Sequence, residues 1–190
     1  MSVDLPGFAQ PVADAQSCFR AVLDAMSHPG RVLFAGVDLA APSPLAPATA
    51  AVLLTLADAE TPIWLEPAAA DAADWLRFHC GAMLVEPGEA QFAVCLGLSS
   101  LAPFNWGTHE GPEASATLIV QIPSFDAGPR LRLSGPGLRV PETVRLGALP
   151  ADFVDQWRAN HAAYPRGIDL VLCAGSQLAA LPRSITIEAA

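Results

Sequence analysis

The hydrophobic positions of the chain alternate between a period of about 3.6, typical of an amphipathic helix, and a period of 2, typical of a strand. The first helical pattern places five mostly apolar positions on one face: Ala15, Phe19, Val22, Leu23 and Met26. Asp14 lies near the expected start of this helix, and residues 27–30, Ser-His-Pro-Gly, are expected to end it because proline and glycine resist continuing a helix. The chain is therefore predicted to begin with an amphipathic helix that packs on the core.

The rest of the pattern interleaves helices with strands. Further helices are predicted at residues 48–58, 71–79 and 153–162. Short apolar runs, rich in β-branched or aromatic residues, predict interior strands at residues 91–96, 116–122 and 168–173. Additional strands are expected at residues 31–35, 61–65, 129–133 and 185–187, the last at an edge. This order predicts an α/β fold with a mostly buried mixed sheet between helices, and no linker-like composition divides it, so one domain is expected over residues 1–190.

The composition excludes several classes of function. All ten basic residues are arginine, and nineteen acidic residues give a net charge of −9. Without lysine the chain cannot hold pyridoxal phosphate as a Schiff base, and it cannot form a P-loop. Net acidity argues against a nucleic-acid partner, because binding to phosphate backbones depends on clustered positive charge.

The low charge content has two possible explanations. Charged residues make up 15% of the chain, and 52% of its residues are hydrophobic; the mean hydropathy is +0.37. Abundant alanine explains part of this excess, and a subunit interface is the alternative explanation, because large contact surfaces are more apolar than ordinary protein surface. Composition alone leaves both open.

Targeting and membrane signals are not expected. The start has neither a basic nor an apolar signal region, and proline, glycine or asparagine interrupts the two uncharged stretches, residues 39–57 and 90–108. The four cysteines are far apart and form no C-x-x-C pair: Cys18, Cys80, Cys95 and Cys173. We interpret them as free thiols in a reducing compartment, which predicts a cytoplasmic protein with no membrane partner.

Histidine, serine and acidic residues form no recognisable catalytic or metal motif, so no catalytic, cofactor or metal residue is assigned. The histidines lack metal-ligand spacing: His28, His79, His109 and His161. Ser176 lacks the flanking glycines of a nucleophile elbow. Two acid pairs, Glu110 with Glu113 and Asp152 with Asp155, are expected to be solvated loop and helix-start residues respectively.

Arginine is the one cation available for recognising an anion. Arg130 and Arg132 are two residues apart on a predicted strand, so both are expected on one face, where they could bind a phosphate or a partner's carboxylate. The alternative is an exposed face that meets solvent and nearby acids. Residues 134–137, Ser-Gly-Pro-Gly, resemble a phosphate loop only superficially, because no helix is predicted after them.

A series of short blocks, spread along the chain, forms one more pattern: residues 19–20, 24–30, 52–58, 61–65, 76–79, 111–113, 117–121, 131–137, 167–170 and 180–183. Taken together, these blocks resemble the PhnH family of phosphonate metabolism proteins. They occur in the family's order and at matching spacing over nearly the whole chain. Each block is weak by itself, and together they are specific.

The resemblance implies that this chain is the H subunit of the bacterial carbon–phosphorus lyase complex. In that complex the H subunit assembles with the G, I and J subunits. With its partners this subunit supports formation of ribose 1-methylphosphonate 5-triphosphate from ATP and methylphosphonate. The family fold is a three-layer α/β/α sandwich similar to the core of pyridoxal phosphate-dependent transferases. No cofactor is expected, because a chain without lysine cannot hold pyridoxal phosphate covalently and the iron–sulfur chemistry belongs to the J subunit.

Two functional hypotheses follow. In the first, the chain is an accessory subunit that acts by assembly. In the second, it is a self-sufficient small hydrolase that uses Glu110, Glu113 or His79, or a phosphate-binding domain. When isolated, the chain is expected to form a homodimer, with candidate contacts in residues 39–47, the helix that follows them and residues 104–106.

Overall fold

The computed structural model describes residues 5–190. Its four α-helices are α1 (Pro11–Ser27), α2 (Pro47–Leu56), α3 (Ala73–Cys80) and α4 (Phe153–Ala162). Its first five strands are β1 (Leu33–Phe34), β2 (Pro62–Leu65), β3 (Met83–Leu84), β4 (Phe92–Cys95) and β5 (Thr117–Gln121). The remaining strands are β6 (Arg130–Ser134), β7 (Glu142–Arg145), β8 (Asp169–Ala174), β9 (Gln177–Leu181) and β10 (Thr186–Ala189). No helix in this part of the chain is both long and apolar enough to cross a membrane.

The strands form one large mixed sheet and one small sheet. The seven-stranded sheet has the order β1-β9-β8-β5-β4-β2-β3, and the three-stranded sheet has the order β10-β6-β7. The run from β3 to β8 is parallel, whereas β9 and β1 join it in antiparallel pairs and the small sheet is antiparallel throughout. The predicted α/β class with a mixed sheet is confirmed.

The two faces of the large sheet belong to different hydrophobic clusters. Along β5 the side chain of Ile119 packs with α1, α2 and α3, whereas Leu118 and Val120 pack on the opposite face with α4, the small sheet and the loop after β4. This alternation follows from the period of 2 in a strand, and burial on both faces explains why the central strands are almost wholly apolar. The second face is thus covered by a sheet and one helix.

Several helices begin or end at a proline or glycine that is apparent in the sequence. Proline opens both α1 and α2, where its missing N–H would have no intrahelical partner and its fixed φ suits the first turn. Gly81 ends α3 in the left-handed conformation, with φ +67°. The predicted helix over 71–79 is divided, because residues 67–72 form a 3-10 turn before α3 begins.

Several predicted positions need correction. Phe19 and Leu23, expected on the core face of α1, are 45% and 50% exposed, and Cys18, Val22 and Ala25 are the buried positions instead. The strand expected at residues 31–35 is reduced to Leu33–Phe34. Strands β3, β7 and β9 were not predicted.

Candidate functional site

A crevice opens at the carboxyl ends of β2 and β4, where the strand order of the parallel sheet reverses. The chain passes from β2 to the edge strand β3 and returns to place β4 on the other side of β2. Such a reversal leaves the adjoining loops splayed apart and is the common ligand position in open α/β sheets. Glu66 follows β2 directly, and its carboxylate accepts the backbone N–H of Leu96, which follows β4. The two loops are thus held together by one carboxylate.

The crevice is small and partly aromatic. Its wall includes Trp64 and Phe104, whose rings meet edge to face at 5.4 Å, and Ser99 and Ser100 also line it. Its volume is about 70 Å³, well below the several hundred Å³ of a pocket for a nucleotide-sized ligand. It can hold a few waters or a very small polar molecule.

The thiol in this crevice is not activated. Burial, together with a smaller contribution from the neighbouring Glu66 charge, raises the pKa of Cys95 to about 12. Burial likewise raises the pKa of Cys173 to about 12 and of Cys80 to about 11. Because the thiolate is the nucleophilic form, these cysteines are poor nucleophiles near neutral pH.

The remaining carboxyl edge of the sheet is closed by the chain itself. Gln121, the last residue of β5, accepts the N–H of Ala46 and donates to the carbonyl of Pro44 at 3.1 Å. Ala48 N–H donates to the carbonyl of Gly175 beyond β8 at 2.9 Å. The proline-rich segment, residues 41–47, therefore covers the ends of β5 and β8.

The four histidines lie apart in the structure. His28 Nδ1 is 2.7 Å from the carboxylate of Asp24 at the end of α1. His79 Nε2 is 3.0 Å from the carbonyl of Leu5, with its ring against Trp75. His161 lies beside the carbonyl of Arg183, and His109 is on an exposed loop. Across residues 5–190, no group of three or more His, Cys, Asp or Glu side chains is placed to hold a metal ion.

The acid pairs and Ser176 are not assembled into a catalytic group. Glu110 and Glu113 are exposed around a loop, as expected. Asp152 accepts a hydrogen bond from Gln156 and Asp155 pairs with Arg158 at 2.6 Å, both near the start of α4. Ser176 lies in the turn between β8 and β9, where its carbonyl accepts the N–H of Ala35.

The expected arginine face exists and is larger than predicted. Arg130 and Arg132 are both exposed on β6, and β7 places Arg145 directly opposite Arg130. None of these three side chains, here called the arginine face, has a described carboxylate within 4.0 Å. Arg130 and Arg145 also line an open groove of about 610 Å³ with Val32, Phe125 and Asp126. Sequence reasoning missed Arg145 because β7 was not predicted.

Glu66 and the serines after β4 were also missed. They carry no motif, and their signal is positional: each follows the carboxyl end of a parallel strand next to the reversal of strand order. That signal becomes readable only when the strand order is known. The described residues therefore present a small crevice, a closed sheet edge and an arginine face, with no nucleophile, acid and base brought together.

Comparison with known proteins agrees with the resemblance found in the sequence. The model of the family described as bacterial phosphonate metabolism protein (PhnH) matches residues 6–188. The chain is 40% identical over 187 residues to "Alpha-D-ribose 1-methylphosphonate 5-triphosphate synthase subunit PhnH" of Rhizobium meliloti (strain 1021), covering 95% of this chain and 94% of that protein. It is 32% identical over 178 residues to "Putative C-P lyase subunit protein HtxG" of Stutzerimonas stutzeri, covering 91% of this chain and 85% of that protein. The chain belongs to the PhnH family of bacterial phosphonate metabolism proteins.

Proposed function

We propose that this chain is a subunit of a complex that forms ribose 1-methylphosphonate 5-triphosphate from ATP and methylphosphonate during phosphonate catabolism. The observation that carries the proposal is the 40% identity to a subunit of that synthase over nearly the full length of both chains. The more distant relative, named as a carbon–phosphorus lyase subunit, supports the same process.

The chain's role in this complex is assembly rather than chemistry of its own. Among the described residues, the cysteines of raised pKa, the separated histidines and the solvated acid pairs form no nucleophile–base arrangement. A catalytic group requires its members within hydrogen-bond reach of one another. We therefore favour an accessory subunit over a self-sufficient hydrolase based on Glu110, Glu113 or His79.

In this proposal the chain assembles with the G, I and J subunits in the cytoplasm. When it is isolated from them, the chain forms a homodimer. We also propose that its fold is a three-layer sandwich close to the core of pyridoxal phosphate-dependent transferases. The packing of α1, α2 and α3 on one face of the mixed sheet supports this likeness. Pyridoxal phosphate itself does not fit, because the chain has no lysine for the aldimine bond.

Reconstitution of the complex tests the proposal. Purified G, I and J subunits are mixed with ATP and methylphosphonate, with and without this chain, and free adenine is measured by chromatography. We expect adenine release only in the complete mixture, and none from this chain alone. The matched control is heat-denatured chain, which supplies the same composition without the fold.

Two results would contradict the proposal. Adenine release that is undiminished when the chain is omitted would remove it from the reaction. Turnover by the purified chain alone would make it a self-sufficient enzyme, and variants of Glu110, Glu113 and His79 would then identify the acting group.

A further inference from the structure

Among residues 5–190, strand β7 leaves one edge of the small sheet without a partner strand. It pairs with β6 on one side, in the register that joins Val144 to Leu131 and Arg145 to Arg130. The N–H of Leu146 donates to the carbonyl of Pro129, which fixes the alternation of the antiparallel ladder. By that alternation, Thr143 and Arg145 direct their backbone N–H and C=O groups away from β6. Free groups of this kind are a template for another strand.

The outer face of the same edge carries unbalanced positive charge. Arg130 and Arg145 form a directly opposed pair, and like charges in that position destabilise a sheet. Arg132 lies two residues further on the same face, and Arg145 donates to the carbonyl of Gly128 at 3.2 Å rather than to an acid. Glu188 of β10 lies opposite Arg132, and Asp126 borders the groove, yet neither is within ion-pair distance. An anionic partner bound at this face would relieve the repulsion between the two arginines.

We propose that β7 receives an extended segment of a partner subunit as a fourth strand of the small sheet, and that acidic side chains of this segment face Arg130 and Arg145. The inference rests on the proposed function, because it assigns one contact surface of the subunit within its complex. Main-chain hydrogen bonds to Thr143 and Arg145 provide affinity, and alternate acidic positions provide specificity. The groove of about 610 Å³ beside β7 provides space for this strand.

A second copy of this chain is a poor occupant of the same edge. Pairing of β7 with its symmetry mate about a twofold axis would bring two arginine faces onto one surface without added acid. The repulsion already present between Arg130 and Arg145 would increase. An acidic segment removes that repulsion, and bidentate pairing of guanidinium with carboxylate adds specificity.

Hydrogen exchange in the reconstituted complex tests this surface. Residue-resolved exchange is measured for the isolated chain and for the same chain bound to the G, I and J subunits. We expect at least tenfold slower exchange at Thr143 and Arg145 in the complex. Val144 is the internal control, because its N–H already faces β6 in the isolated chain. A third sample contains the isolated chain with inorganic tripolyphosphate, which probes a small anion at the same arginines.

Charge reversal supplies the second measurement. The double variant Arg130→Glu and Arg145→Glu is expected to bind the partner subunits at least tenfold more weakly at low salt, and the loss should shrink as salt screens the charges. The control Arg158→Glu makes the same kind of reversal on an exposed residue of α4 and is expected to bind normally. Circular dichroism of each variant verifies the fold.

The outcomes separate this inference from the proposed function. A complex that forms with Thr143 and Arg145 unprotected, or that ignores the double reversal, overturns the docking surface and leaves the proposed function intact. Protection by tripolyphosphate in the isolated chain also overturns it, because the arginines would then serve a small anion. Failure of the chain to bind any of the subunits overturns both the proposed function and the surface that rests on it.

Discussion

Asp169 and Arg183 form the best-shielded ion pair among the described residues. The Arg183 backbone N–H donates to one carboxylate oxygen at 2.7 Å, and its Nε donates to the other at 3.0 Å. The two side chains are 14% and 15% exposed, and Arg183 also donates to the carbonyl of Pro112. The pair therefore ties the start of β8 and the segment after β9 to the loop before β5.

We expect Arg183→Ala to lower the free energy of unfolding by about 3 kcal/mol, because it leaves a shielded carboxylate without its partner. The matched control is Arg158→Ala, whose pair with Asp155 is 70% and 75% exposed; an exposed pair contributes at most about 1 kcal/mol. Urea denaturation of both variants measures the difference. Equal losses in the two variants would show that the shielding of Asp169 has no energetic consequence.

The chain has no lysine to ionise at alkaline pH. The buried cysteines therefore have a measurable effect on how the free energy of unfolding depends on pH in that range. Cys80, Cys95 and Cys173 have raised pKa values, up to about 12, because burial disfavours the thiolate. A raised folded-state pKa means that the native state holds its proton more tightly than the unfolded chain does. The resulting stabilisation is fully present below pH 9 and is lost as the pH rises from 9 towards 12.

We expect the free energy of unfolding to fall with pH in that range by about 1.4 kcal/mol per pH unit for each such thiol. The measurement is urea denaturation between pH 7 and 10.5 under reducing conditions, in a Tyr164→Phe background that removes the single tyrosine. Cys173→Ala should make the slope shallower by about one thiol's contribution. An unchanged slope in that variant would contradict the burial argument.

Residue patterns predict faces well and long-range contacts poorly. The spacing of Arg130 and Arg132 correctly places both on one strand face, because that relation is local. The contact of Glu66 with Leu96 joins residues 30 apart, and that of Asp169 with Arg183 joins residues 14 apart. Neither contact follows from spacing, because each depends on which strands become neighbours.

The antiparallel pairing of β6 and β7 depends on a glycine at the start of their hairpin. Gly128 has φ +95°, and a Cβ there would lie 2.4 Å from the carbonyl oxygen of Leu146. Both the backbone conformation and the close approach exclude a side chain. The glycine therefore allows the segment before β6 to lie against the segment after β7.

We expect Gly128→Ala to cost clearly more stability than Gly175→Ala. Gly175, in the turn between β8 and β9, has φ +56°, and no atom of the described residues lies within 4 Å of its would-be Cβ. Alanine there costs about 1 kcal/mol for the left-handed backbone alone. Gly128→Ala adds a clash with backbone to a similar conformational cost. Thermal and urea denaturation of the two variants test this order, and a smaller loss at Gly128 would refute the packing argument.

At the level of elements, the length and polarity of a strand decide whether it can be predicted from the sequence. The predicted interior strands at residues 91–96, 116–122 and 168–173 correspond to β4, β5 and β8, because burial on both faces makes them apolar throughout. Strand β7 reads Glu-Thr-Val-Arg, with one half-buried position, so its pattern is too polar to signal a strand. Strand β3 has two residues, and no periodicity is measurable over that length.

Strand β9 was missed for a different reason. Its sequence, Gln-Leu-Ala-Ala-Leu, is rich in alanine and leucine, which favour helices, and its position in the sheet is imposed by pairing with β8. Tertiary context therefore overrides local preference there. The α/β class was predicted correctly without β9, because the central strands and all four helical regions carry strong patterns.

At the scale of the molecule, a strip of apolar side chains along α1 is left uncovered by the rest of residues 5–190. Val12, Phe19 and Leu23 are 85%, 45% and 50% exposed and recur at helical spacing, and Phe34 on the neighbouring edge strand β1 is 56% exposed. The contact elements expected from the sequence are occupied inside the domain instead, since Leu45 and Phe104 are buried and most of α2 lies in the core. Part of the apolar excess that suggested an interface is therefore exposed on α1 and β1.

We expect a second copy to cover this strip when the chain is isolated, because contiguous exposed apolar surface favours association and twofold dimers are the commonest homo-oligomers. Light scattering over a dilution series should give about twice the 19.8 kDa chain mass, with little dependence on salt because the contact is apolar. The double variant Phe19→Ser and Leu23→Ser should give a folded monomer, whereas the control Phe78→Ser, which alters a 68% exposed side chain on α3, should remain a dimer. A wild-type chain of 19.8 kDa at high concentration would show that the strip stays uncovered in the free protein. A dimer that persists in the double variant would place the contact elsewhere on the surface.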